Sequence, residues 1–333
     1  MNYYIGHPLQ VRGAEQYVLK GGKGEGMNFV YARNGMGLEI WLSTDRCGDV
    51  ARVSYNGKNM SYTSPCGQVA PAYYDRTGLN FLKSFNAGFF TTCGFDGAGG
   101  PCVDNGEEIG LHGRIGNTPA VVDAILEDEN ELKIIFSVRD HVIFGRKFSL
   151  KRTYVISYTE NKFSVTDSVT NYGDNSEPFC LLYHCNMGYP LLSENSIVYF
   201  PNDKIWANDE NAIDNIDTAL VMEKPQANYV ERCYFFDAKK NNLGLVNVGL
   251  YNPDINAGLV MSYKKDELPC LTEWKMMGKY DYVLGIEPGN VCPCPRNKMR
   301  EQGVLPFLDS EATYNSTITF SFTDKLDNFE SKF

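Results

Sequence analysis

No hydrophobic run in this chain is long enough to span a bilayer, and helical periodicity is scarce. The first absence argues against a membrane protein, the second against a helical bundle or a helix-flanked parallel sheet. Positive charge is in short supply: 31 Lys and Arg stand against 41 Asp and Glu, for a formal net charge of −10. Nucleic-acid binding needs a basic face, so that partner class is excluded. A small anionic substrate is not, because one arginine can reverse the field inside a pocket. No phosphate-cradling Gly-x-x-x-x-Gly-Lys-Ser/Thr motif occurs, either at Gly21 to Gly26 or in the later glycine-rich stretch. Met1-Asn-Tyr-Tyr-Ile-Gly-His-Pro8 lacks the basic start and apolar core of a secretion signal. The expectation is a cytoplasmic protein.

Ten cysteines are spread over 333 residues. Cys292 and Cys294 form the one close pair, with no second pair at zinc-finger spacing. They read as incidental reduced thiols. Histidine is rare too, with four in all, and tryptophan rarer, with three.

Alternation of apolar and polar residues is abundant. Gly37 to Ser43, Glu131 to Arg139, Lys147 to Ser157, Asn161 to Thr170 and Ser316 to Phe322 all read as strands. The turn Tyr158 to Asn161 predicts a hairpin between two of them. Leu243 to Leu250 and Ala257 to Tyr263 suggest a second antiparallel pair. Many strands with polar turns imply an all-β fold, a large antiparallel β sandwich. No composition break divides it, so residues 1–333 are expected to form a single domain. Leu268 to Lys279 reads as either a short helix or an irregular loop. Thr92 to Thr118 holds eight glycines and reads as a long structureless segment, a type that is often functional.

Two histidines lie in punctuated segments. On an extended strand, His184 and Asn186 share one face, so both could line a polar cavity. A core histidine bonded to a backbone carbonyl fits the same segment. Glu287 ends an apolar strand before Pro288-Gly289, where burial would raise its pKa and suit it to act as a base. A hydrated strand-end glutamate fits too. His112, flanked by glycines, and Arg114, a planar donor fork, close the glycine-rich stretch. Trp274 could stack on the apolar face of a sugar ring or serve as a core tryptophan. A histidine and a glutamate facing one cavity can move protons near neutral pH.

In order, the stretches Ser43-Thr-Asp-Arg-Cys-Gly-Asp49, Gly88-Phe-Phe-Thr-Thr-Cys-Gly94, Leu111-His-Gly-Arg114, Tyr183-His-Cys-Asn-Met-Gly-Tyr-Pro-Leu191, Glu273-Trp-Lys-Met276 and Tyr282-Val-Leu-Gly-Ile-Glu-Pro-Gly289 span most of the chain. Together they resemble the aldose 1-epimerase (galactose mutarotase-like) superfamily, and most closely its branch of uncharacterised epimerase-like proteins. The resemblance implies a galactose mutarotase-like supersandwich and a cofactor-independent enzyme that interconverts the anomers of an aldose or aldose derivative. It makes His184 the general acid on the ring oxygen, Glu287 the general base on the anomeric hydroxyl, and His112 a substrate-binding residue. Arg114, Arg46, Trp274 and Asn186 join His112 as expected substrate contacts, and Asp203 is a candidate for the family's binding aspartate. In galactose mutarotases the second histidine lies in an Asn-His-x-Tyr-Trp/Phe-Asn-Leu type segment, whereas Tyr183-His184-Cys185-Asn186 lacks the aromatic pair. Arg114 and Arg46 resemble the arginines that hold phosphate in the sugar-phosphate epimerase branch. A non-catalytic carbohydrate-binding protein and a metal enzyme using His112, His184 and Glu287 as ligands are the rival readings. The expected partner is a small-molecule sugar, with no nucleic acid and no membrane.

Overall fold

A computed structural model of the chain describes residues 3–333. Its frame is three antiparallel sheets. The largest has eight strands, ordered Val121–Glu127, Glu131–His141, Lys147–Ser157, Lys162–Asn171, Thr313–Thr323, Ala257–Lys264, Leu245–Asn252 and Ile197–Tyr199. Strict alternation is visible in its long members. Alternate residues of Lys162–Asn171 are buried and half-exposed, because one face packs on the core and the other meets water. The expected hairpin pairs Lys147–Ser157 with Lys162–Asn171, and the second expected pair joins Leu245–Asn252 to Ala257–Lys264.

A six-stranded sheet carries the residues of interest. We label its members in chain order: β1 (Phe90–Phe95), β2 (Cys180–Met187), β3 (Asn202–Trp206), β4 (Arg232–Ala238), β5 (Cys270–Met277) and β6 (Tyr282–Gly289). Their spatial order is β3-β4-β5-β6-β2-β1. Every residue of β2 is buried, so this strand is covered on both faces. Gly13–Val18 starts a five-stranded sheet that ends with Asp49–Tyr55 and Lys58–Asn59. Apolar side chains of all three sheets meet in one cluster, including Ile40, Phe89, Phe163, Tyr183, Ile286 and Phe320.

A buried ionic knot ties the sheets together. Arg152, wholly buried on Lys147–Ser157, bonds Asp49 at 2.5 Å, Asp167 at 2.6 and 2.8 Å and the Thr92 hydroxyl at 2.7 Å. The Tyr183 hydroxyl donates to the same Asp167 at 2.7 Å. These partners come from all three sheets, and β2 is anchored at the residue before His184.

Two segments differ from expectation. Leu268 to Lys279 holds neither helix nor loop but strand β5. The glycine-rich stretch is not structureless: it contains most of β1, a short hairpin of Cys102–Asp104 with Glu107–Ile109, and a turn at Ile115–Asn117. Among the described residues no helix is long and apolar enough to cross a membrane.

Candidate active site

Strand register assembles the site. β2 and β6 pair so that Leu182 faces Gly289 and Cys185 faces Ile286, which sets His184 opposite Glu287. β5 pairs with β6 so that Thr272 faces Glu287 and Trp274 faces Gly285. Side chains directly opposite each other share a face, so His184, Asn186, Glu287, Thr272 and Trp274 all project from one side of the sheet.

His184 Nε2 lies 3.2 Å from Glu287 Oε1, with both side chains buried. The contact is close but poorly aligned, and Oε1 has no hydrogen-bond partner. Thr272 Oγ1 beside it is also buried and unpartnered. Three rings stand edge-on around the His184 imidazole: Phe85 at 5.2 Å, His112 at 5.3 Å and Trp274 at 5.2 Å between centroids. Phe81 packs on His112 at 5.5 Å. His184 and Glu287 are thus buried beside the half-buried rings of His112 and Trp274.

Asn186 sets the histidine tautomer. Its Nδ2 donates to the His184 carbonyl at 2.7 Å, so its Oδ1, 2.7 Å from His184 Nδ1, must accept. The Nδ1 proton is thereby fixed, and Nε2 is the atom turned to Glu287. Burial pushes the His184 pKa down to about 3, with the neighbouring His112 adding to the fall and the Asn186 bond opposing it. Burial raises Glu287 well above the usual carboxylate range, and the Glu231 charge adds to the rise. Both directions say the same thing: the dry pair holds one proton between its two atoms rather than a separated charge.

His112 arrives from a loop with left-handed backbone (φ 58°), followed by Gly113 at φ 71°. A Cβ on Gly113 would stand 2.4 Å from the Gly94 carbonyl oxygen, so only glycine fits. The His112 backbone bonds both Gly94 and Gly99, pinning the loop to β1. Its Nδ1 is buried without a partner. Burial lowers its pKa to about 4.

The arginines do not join this group. Arg46 is buried and spends its guanidinium on the Val69 and Ser84 carbonyls and on Asn117 Oδ1, at 2.5 to 2.8 Å. Arg114 turns to Asp140, at 2.8 Å from Nε and 2.5 Å from Nη2. Arg46 therefore departs from the expected substrate contact, because the protein's own acceptors have taken its donors, and Arg114 directs two of its three guanidinium nitrogens to Asp140. Asn186, fully buried, departs as well: it holds His184 rather than facing a guest. Asp203 pairs with Lys239 at 3.1 Å on the edge strand β3 and stands apart from this group. Thr272, Phe81, Phe85 and Glu231 were not singled out from the sequence. Only the strand register shows the first, and no local pattern marks the others. Among the described residues no three His, Cys, Asp or Glu side chains form a group able to hold a metal ion.

Comparison with known proteins agrees with this architecture. The profile of a domain of unknown function, DUF4432, matches residues 24–322. No curated protein matches the sequence. Among solved structures, 96% of the chain superposes on 85% of a candidate aldose 1-epimerase from Klebsiella pneumoniae subsp. pneumoniae, with a TM-score of 0.89 and 26% identity. A galactose mutarotase-like protein from Clostridium acetobutylicum gives a TM-score of 0.70 at 15% identity, over 95% of this chain and all of that one. The galactose 1-epimerase of Lactobacillus acidophilus gives 0.64 at 15%, over 93% of this chain and 98% of that one. These last two are likenesses of fold. The chain belongs to the DUF4432 family, built on the galactose mutarotase-like β sandwich of the aldose 1-epimerase superfamily.

Proposed function

We propose that the protein is a cofactor-independent epimerase that interconverts the anomers of an aldose or aldose derivative. The observation that carries this reading is the buried His184–Glu287 contact of 3.2 Å, with the tautomer set by Asn186. A ring oxygen and an anomeric hydroxyl are bonded to one carbon, so a proton donor and a proton acceptor must stand side by side to serve both at once.

In the reactive form His184 is an imidazolium and Glu287 a carboxylate. Glu287 takes the proton of the anomeric hydroxyl, and that O–H electron pair becomes the second bond of a carbonyl. The bond from the anomeric carbon to the ring oxygen breaks, and its pair goes to the ring oxygen, which takes the proton from His184 Nε2. The sugar is now an open aldehyde and the pair is neutral, the form that burial favours. Rotation about the bond to the anomeric carbon presents the other carbonyl face, and the reversed transfers close the ring. The pair ends with the one proton it began with. In this reading His112 and Trp274, the half-buried rings beside the pair, hold hydroxyls and the apolar face of the ring. Each positioned acid or base contributes about a hundred- to ten-thousand-fold.

Anomer exchange, followed by saturation-transfer NMR against a panel of aldoses, tests the reading. Wild type should exceed the spontaneous rate on at least one sugar. Glu287→Gln, which keeps shape and loses basicity, should lower turnover by about a hundredfold or more with little change in KM. Normal turnover in that variant removes the base and the mechanism. Sugar binding without any exchange in wild type favours the carbohydrate-binding protein instead.

A further inference from the structure

Among the described residues no lysine or arginine bonds or stacks on His112, His184, Trp274 or Glu287; their side-chain contacts are with one another, with Asn186 and Glu231, and with aromatic rings. Arg46 and Arg114, the two guanidiniums expected to meet an anionic group, bond protein acceptors. Outside the pair, the one formal charge acting on Glu287 is Glu231. The other titratable groups that interact with the pair are His112 on His184, and the thiols of Cys93, Cys185 and Cys233 on Glu287. Burial keeps that imidazole neutral and those thiols protonated.

Glu231 is exposed, just before β4. Its Oε2 accepts from the indole Nε1 of Trp274 at 2.7 Å, and Trp274 stands edge-on to His184. Its Oε1 has no protein partner among the described residues. The next residue, Arg232, does not neutralise it. Arg232 pairs with Lys275, whose side is opposite to that of Trp274, and its guanidinium is spent on Glu223 at 3.2 Å and on the Tyr229 ring. Glu231 thus does two things: it fixes the Trp274 indole, and it leaves a negative charge beside a site that holds a second carboxylate.

We propose that Glu231 is a specificity-determining residue that makes this site select uncharged aldoses over phosphorylated or carboxylated ones. The proposal rests on the epimerase reading for its kinetics, but its charge selection is also readable as binding. An anionic sugar would bring its charge past one carboxylate and toward another, with no guanidinium or ammonium to receive it.

Glu231→Gln separates charge from structure, because the glutamine oxygen still accepts from Trp274 Nε1 while the charge is gone. The measurements are kcat/KM for anomer exchange, and calorimetric affinity, for free aldohexoses, their 6-phosphates and the matching uronic acids. Wild type should favour the free sugars about tenfold or more, and the ratio should shrink several-fold in Glu231→Gln and in about 1 M salt. The alkaline limb of the pH profile should also move down in the variant, since a charge that raised the Glu287 pKa has been removed. A merely structural Glu231 leaves both the ratio and the limb in place. Preference of wild type for the phosphates, or an unchanged ratio in Glu231→Gln, overturns the proposal. Charge-selective binding with no anomer exchange overturns only the epimerase reading and leaves charge selection standing.

Discussion

Asn186 accepts a hydrogen bond from His184 Nδ1 while its own amide nitrogen is tied to the His184 carbonyl, so one buried side chain decides which imidazole nitrogen is turned to Glu287. The consequence for pH follows from the directions of the two shifts. His184 is lowered to about 3 and His112 to about 4, both by burial, so each stays neutral far below the range where a free imidazole charges. Glu287 is raised by burial, so the pair keeps its single proton well above the range where a free carboxyl loses one. Adding a second proton requires acid near pH 3 to 4, and that would leave no base. Removing the only proton requires a pH above the raised Glu287 pKa, and that would leave no acid. Between these limits the pair is complete.

At the level of elements, the site depends on a residue with no side chain. Gly285 of β6 lies on the site face beside Trp274, and a Cβ there would stand 2.6 Å from Glu287 Oε1 and 2.8 Å from the Trp274 Cβ. Gly285→Ala should therefore displace the carboxylate or the indole. Overpacking of this kind costs about 1–3 kcal/mol, and a small misplacement of a catalytic group lowers turnover by up to about a hundredfold. A thermal melt together with anomer exchange checks this; unaltered kcat would show that the carboxylate position is not critical. The element that holds Trp274 was also the hardest to read. In β5 Glu273 and Lys275 sit at wholly buried positions while Trp274 and Met276 are half-exposed, so charged residues lie inside and apolar ones outside, the reverse of the alternation that revealed Glu131–His141. Glu273 has no partner for either carboxyl oxygen, and burial raises its pKa to about 8. A pattern reader takes such a residue for a surface one.

Across the whole molecule, β architecture was legible because the eight-stranded sheet alternates, and His184 and Glu287, which the fold brings to 3.2 Å, stood out as residue types within quoted motifs. What the sequence did not show is where long donor-rich side chains go. An arginine needs acceptors, but nothing local says whether a substrate or the protein supplies them. Arg46 and Arg114 were expected at a ligand, and their acceptors lie 23 to 71 residues away in the protein itself. Arg152 shows the same on a larger scale, its partners reaching 103 residues back along the chain to Asp49. Arg152→Met leaves Asp49 and Asp167 buried without their cation, at a cost of about 3–5 kcal/mol. Urea denaturation should show a loss that is largest at neutral pH. Burial already raises the Asp49 pKa and the Arg152 charge opposes that rise, so the folded variant would bind a proton at Asp49 more tightly than the unfolded chain and its stability deficit should shrink as pH falls. An equal deficit at pH 5 and pH 7.5 would contradict the assignment of that loss to unpaired charge.

The one-proton pair is the centre of the account, and the pH dependence of wild-type anomer exchange probes it most directly. The measurement is kcat by saturation transfer from about pH 3.5 to 9 on any aldose whose anomer exchange the protein accelerates, corrected for the spontaneous rate. A freely titrating histidine would halve the rate near its ordinary value of about 6.5. The buried pair predicts instead a level rate through pH 6.5 and down to pH 5, with the acid limb falling only toward pH 4 and below. A half-maximal rate between pH 6 and 7 on the acid side would contradict it.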